Sequence, residues 1–127
     1  LAMPQVERVV TLCCVSNEGG GEDVGNAVWR GVLLKDVLDR AGVKPVTRLS
    51  EPVVEANLLT GPKASALVLA NYTYHTIESL SVDVTLSARV KSATSCEGRP
   101  VKWDQTQTGV RVTLPLDWTD VVLLEHE

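Results

Sequence analysis

From Glu78 to Leu86 every second residue is apolar, with Leu80, Val82, Val84 and Leu86 alternating with Ser79, Ser81, Asp83 and Thr85. Successive side chains of a strand point to opposite faces, so this run predicts a strand with one dry face and one wet face. The same alternation returns in Val110, Val112, Leu114 and Leu116. Shorter runs of the same character are Val53–Leu59, Ser65–Tyr72, Arg89–Ser95, Val101–Asp104 and Val121–Glu125. Turn signals separate them: Thr60-Gly61-Pro62-Lys63, Cys96-Glu97-Gly98-Arg99-Pro100 and Asp117-Trp118-Thr119-Asp120. About six or seven short strands at such intervals predict a mainly β fold, an antiparallel β-sandwich. The chain has no Phe, three Trp and two Tyr, so Val and Leu must fill the core.

The first third of the chain has another texture. Val6–Val15 predicts a strand with Val6, Val10, Leu12 and Cys14 on one face. Ser16–Ala27, punctuated by Gly19, Gly20, Gly21 and Gly25, predicts a loop. Val32–Ala41 predicts one short helix, with Leu34, Val37, Leu38 and Ala41 at helical spacing and Gly42 as its stop. One strand, one loop and one helix cannot enclose a core, so the chain divides into a strand–loop–helix segment, 1–45, and a sandwich module, 46–127.

Several function classes are disfavoured. The net charge is −4 and the 12 basic residues are scattered, so no basic stripe offers itself to nucleic acid. No apolar run approaches the ~20 residues of a membrane-spanning helix. The first residues, Leu1-Ala2-Met3-Pro4-Gln5, lack the charged and apolar regions of a signal peptide. Three cysteines make an odd number, which argues against a disulfide framework.

The string Thr11-Leu12-Cys13-Cys14-Val15-Ser16-Asn17, then Gly25-Asn26-Ala27-Val28-Trp29-Arg30-Gly31-Val32, then Leu34-Lys35-Asp36-Val37-Leu38 and Ala41-Gly42-Val43, resembles part of the molybdopterin-binding domain of the sulfite oxidase family. The resemblance covers residues 9–43. It implies that Cys14 is the thiolate ligand of molybdenum, a soft donor for a soft metal. It implies further that Asn17 hydrogen-bonds nearby and that Trp29 and Gly31 wall a molybdenum–molybdopterin pocket. The remaining cofactor contacts would come from a partner chain or a missing domain.

Residues 43–125 resemble instead the β-sandwich accessory domains found at the C-termini of glycoside-hydrolase-like proteins. Glu78, Asp83, Asp104, Asp117 and Asp120 are the carboxylates available for hydrolysis. They fall on outward faces or in turns, where a charge is usually only solvated, and Asp117 and Asp120 are expected to cap the turn around Trp118. Tyr72, Tyr74, Trp103 and Trp118 could stack on a carbohydrate, although aromatics beside short strands more often plug the core or its rim. His75 is expected in an exposed turn, and Asn71-Tyr72-Thr73 matches a glycosylation sequon. Three readings stay open: a part of a molybdopterin oxidoreductase that is not catalytic alone, a non-catalytic accessory or interaction module, and a chimera joined near Gly42–Pro45.

Overall fold

The structure is a computed structural model, and it describes residues 3–14, 22 and 24–127. Among these are ten strands and one helix: β1 (Val6–Cys13), β2 (Val24–Gly31), α1 (Leu34–Arg40), β3 (Thr47–Leu49), β4 (Val54–Thr60), β5 (Ala64–Asn71), β6 (Ile77–Thr85), β7 (Val90–Ser95), β8 (Lys102–Gln105), β9 (Gly109–Leu116) and β10 (Thr119–His126). They form two compact units, Leu1–Lys44 and Pro45–Glu127.

The second unit is an eight-stranded, antiparallel, sandwich-like pair of sheets, with orders β4-β5-β10-β7 and β3-β6-β9-β8. The alternating runs lie where their periodicity requires. Leu80, Val82, Val110, Val112 and Leu116 have no exposed surface at all, and they meet the equally buried Leu67, Leu69, Val122 and Leu124 of the other sheet. Each such side chain contributes about 1.5–3 kcal/mol by leaving water. The eighth strand, β3, carries no periodic signal in its three residues. It exists because Thr47–Leu49 pairs with Val82–Val84 of β6.

Pro115 sits within β9, between two neighbours in the sheet, where a missing N–H is normally excluded. The fold accommodates it locally. The register of β6 against β9 slips between Ile77 and Leu80, so no regular ladder bond is demanded of Pro115. On the other side β8 begins opposite Thr113, before the proline is reached.

Four connections pass from one sheet to the other at the same end of this unit: 50–53, 72–76, 96–101 and 117–118. Backbone bonds knit them together. Asn71 N–H donates to the Trp118 carbonyl at 2.7 Å, and Tyr72 N–H donates to Val53 at 3.1 Å.

In the first unit β1 and β2 form an antiparallel hairpin with Val6 opposite Gly31 and Cys13 opposite Val24. Residues Val24–Ala27, expected in a loop, are therefore strand. Gly25 and Asn26 mask the pattern in the sequence, and cross-strand partners supply it in the fold. Arg30 binds Glu7 opposite it through Nε at 2.8 Å and Nη2 at 2.5 Å, and Thr11 Oγ1 donates to Asn26 Oδ1 at 2.6 Å. The helix spans Leu34–Arg40, inside the expected range. None of its residues is buried, nor is any described residue of the hairpin.

Candidate functional site

The thiol singled out by the sequence lies one residue beyond the last residue of β1, and Cys14 is exposed. A buried cysteine behaves as a small hydrophobe, whereas an exposed thiol can ionise and bind metal. Cys13 is exposed as well, and its Sγ lies 3.5 Å from the Cys14 carbonyl oxygen.

The hairpin register brings some of the expected residues near Cys14 and takes others away. Trp29 is opposite Arg8 and Gly31 is opposite Val6. At about 3.3 Å per residue these positions lie ~20 Å and ~26 Å along the hairpin from Cys14. Trp29 is 53% exposed on the hairpin surface. Along the hairpin, then, Trp29 and Gly31 are well removed from the thiol. Among the described residues the glycine nearest Cys14 in the pairing register is Gly25, opposite Leu12, and a Cβ built on it would meet nothing within 4 Å. Backbone there is open to close approach by a ligand. Pairing of Val24–Gly31 with Val6–Cys13 was the signal that could have identified it. Asn17 lies outside the described residues.

Among the described residues no group of three or more His, Cys, Asp or Glu could hold a metal ion. Cys14 therefore belongs to no such group of three among the described residues. A single thiolate suits a soft metal ion.

Two of the sandwich carboxylates, Asp83 and Asp117, are held by basic partners. Asp83 is gripped by Arg111 at 2.6 and 2.9 Å, which holds its carboxyl below the usual carboxylate range. Asp117 accepts from Thr76 Oγ1 at 2.7 Å and Arg99 Nη1 at 2.8 Å, and these bonds lower its pKa too. A general acid needs the opposite shift. Asp120, expected in a solvated turn, is instead in β10 and only 2% exposed. Ser95 Oγ donates to it at 2.6 Å, and Arg99 Nε stands 3.5 Å away, an ionic contact without a hydrogen bond. The sequon is also structural, because Asn71 is 4% exposed and its Nδ2 donates to the carbonyls of His75 and Asp117. Trp103 packs against the core, whereas Tyr72, Tyr74 and Trp118 are exposed.

The described residues thus make a mainly β chain with an exposed thiol one residue past the end of β1. Residues 1–118 match the oxidoreductase molybdopterin binding domain, and the chain belongs to that family. No curated protein and no solved structure matches it. The family match runs unbroken through Gly42–Pro45 and most of the sandwich, which does not favour a chimera joined there or a separate origin for the second unit. No helix among the described residues is long and apolar enough to cross a membrane.

Proposed function

We propose that the chain is a sulfite-oxidase-like molybdopterin-binding domain in which Cys14 donates its thiolate to molybdenum. The reading rests on family membership and on one structural observation, the exposure of Cys14 just past the end of β1. When bound, the cofactor supplies oxygen-atom or electron transfer. The chain's own part is to hold it. Cys14 gives up its proton to become the donor, and the open backbone at Gly25 leaves room for an anionic group to approach amide N–H groups. Asn17, three residues beyond the thiol in sequence, is proposed as a hydrogen-bonding neighbour. Trp29 and Gly31 are not part of the proposed site, because the hairpin carries them away from it.

One thiolate does not preorganise a reaction. We therefore expect the chain alone not to turn over a substrate, with a partner chain or a further domain supplying the remaining cofactor contacts. The test is elemental analysis and pterin fluorescence of the chain purified from a host that makes the cofactor. Molybdenum should approach one equivalent, fall at least tenfold in Cys14→Ser, and persist in Cys13→Ser. Retention of the metal by Cys14→Ser would overturn the assignment.

A further inference from the structure

The chain has five aromatic residues, three Trp and two Tyr, and three of them crowd one end of the sandwich. Tyr72, Tyr74 and Trp118 are 56%, 85% and 61% exposed. Their rings do not plug the core. Tyr74 comes from the β5–β6 connection and Trp118 from the β9–β10 connection, and the two rings meet at 6.3 Å between centroids with planes 81° apart. Two nearly perpendicular rings make a corner. It opens into a notch of about 200 Å³ lined by Tyr74, His75, Thr76, Asp117 and Trp118.

The notch is held in advance. Buried Asn71 is its anchor: Nδ2 donates across to Asp117 at the turn and to the His75 carbonyl at 2.9 Å, while Oδ1 accepts from Thr73 N–H at 2.9 Å and Thr73 Oγ1 at 2.7 Å. Between these fixed points Tyr74 adopts φ 61°, the left-handed conformation that a bulky residue avoids. Backbone strain in an over-determined loop, spent on holding a ring in water, is an arrangement more typical of binding sites than of packing.

Charge and hydrogen bonding select the ligand. His75 Nδ1 is 2.9 Å from the Thr73 carbonyl oxygen, which can only accept. Nδ1 is therefore the donor, and in the neutral ring Nε2 is left as an acceptor. Asp117 is a second acceptor, but its charge is already matched by Arg99 Nη1 at 2.8 Å. An anion would be repelled by the carboxylate, and a cation would compete with Arg99. What remains is an uncharged ligand with O–H donors and an apolar C–H face for the rings.

We propose that Tyr74, Trp118, Asp117 and His75 form a binding site for a neutral saccharide, a pyranose stacking in the aromatic corner with its hydroxyls donating to Asp117 and His75. The site belongs to the sandwich unit and is independent of the Cys14 reading.

The whole chain, labelled with ¹⁵N, is titrated at millimolar concentration with cello-, malto-, laminari- and xylo-oligosaccharides, and the indole N–H resonance of Trp118 is followed. At least one series should shift it saturably. Trp118→Ala should weaken that binding at least tenfold and Trp118→Tyr much less. Tyr74→Gly removes the ring and relaxes the left-handed backbone, so it should weaken binding while leaving the unfolding midpoint equal or higher. Three outcomes would overturn the proposal: no shift with any of the four series, binding unaffected by both ring deletions, or a larger saturable response to tetramethylammonium than to any sugar.

Discussion

Asp120 has no exposed side-chain surface, yet it sits one residue into β10 and organises the turn that follows β7. Its Oδ2 takes the Ser95 hydroxyl at 2.6 Å, and its Oδ1 takes the amides of Val121 at 2.7 Å and Glu97 at 3.4 Å. Ser95 Oγ in turn accepts from the amides of Glu97 and Arg99, each at 3.1 Å. Removing the carboxylate strands the buried Ser95 hydroxyl and leaves Arg99 with one partner fewer. Asp120→Ala should therefore cost about 3 kcal/mol, the range for breaking a buried charge from its partners. Ser95→Ala should cost less, about 1–2 kcal/mol, because Asp120 keeps its amide donors. Urea unfolding of the two variants measures both, and an Asp120→Ala midpoint equal to that of the unmodified chain would contradict the assignment. Nothing at the level of residue type separates this aspartate from solvated Asp104. Only the pairing of β10 with β7, Val122 opposite Ser95, brings the serine to it.

At the scale of elements the two units differ in what supports them. Strands β5, β9 and β10 run through a core of Leu and Val with exposures near zero. Among the described residues strands β1 and β2 pair with each other, Arg30 pairs with Glu7 and Thr11 bonds to Asn26, while Val9, Val28 and Trp29 stand 70%, 67% and 53% exposed. A two-stranded hairpin is marginally stable by itself, and a helix of one or two turns adds little. The amides of β1 and β2 should exchange with deuterium at least a hundredfold faster than the inner amides of β9 and β10, read residue by residue by NMR. Equal protection would mean that the hairpin is stabilised by something other than its own pairing. The elements with strict alternation were legible in advance. β2 and β3 were not, because their partners, not their own composition, make them strands.

For the molecule as a whole, acid is the condition to which its electrostatics respond. Asp83, Asp117 and Glu125 are all held below their ordinary values, by Arg111, by Thr76 with Arg99, and by Ser92 with Lys91. A carboxyl with a depressed folded pKa binds protons more tightly when unfolded. Its contribution is thus fully present above the unfolded value and is lost as pH falls through the folded one. Stability should be nearly flat from neutrality to about pH 5 and should decline below about pH 4, where free carboxyls titrate. These pairs are partly exposed, so added salt should shrink the decline. Thermal melts across that range, at low and high ionic strength, check both statements. A stability maximum below pH 4 would contradict them.

Periodicity alone was enough to define the sandwich. A face of Leu80, Val82 and Val84 has one way to leave water, and the hydrophobic term for such a run outweighs local alternatives. The family was likewise readable, because the strings around Cys14 and Trp29 resemble its sequence, and the family match covers residues 1–118. Tertiary structure decided the rest. It carried Trp29 and Gly31 to the far end of the hairpin from Cys14, buried Asp120, turned Asn71 inward, and set Tyr74 against Trp118. Each of these depends on which segments become neighbours in the fold, or on a strand register in which one slip reverses every face. Such pairings are properties of the folded chain and have no counterpart in the spacing of residues along it.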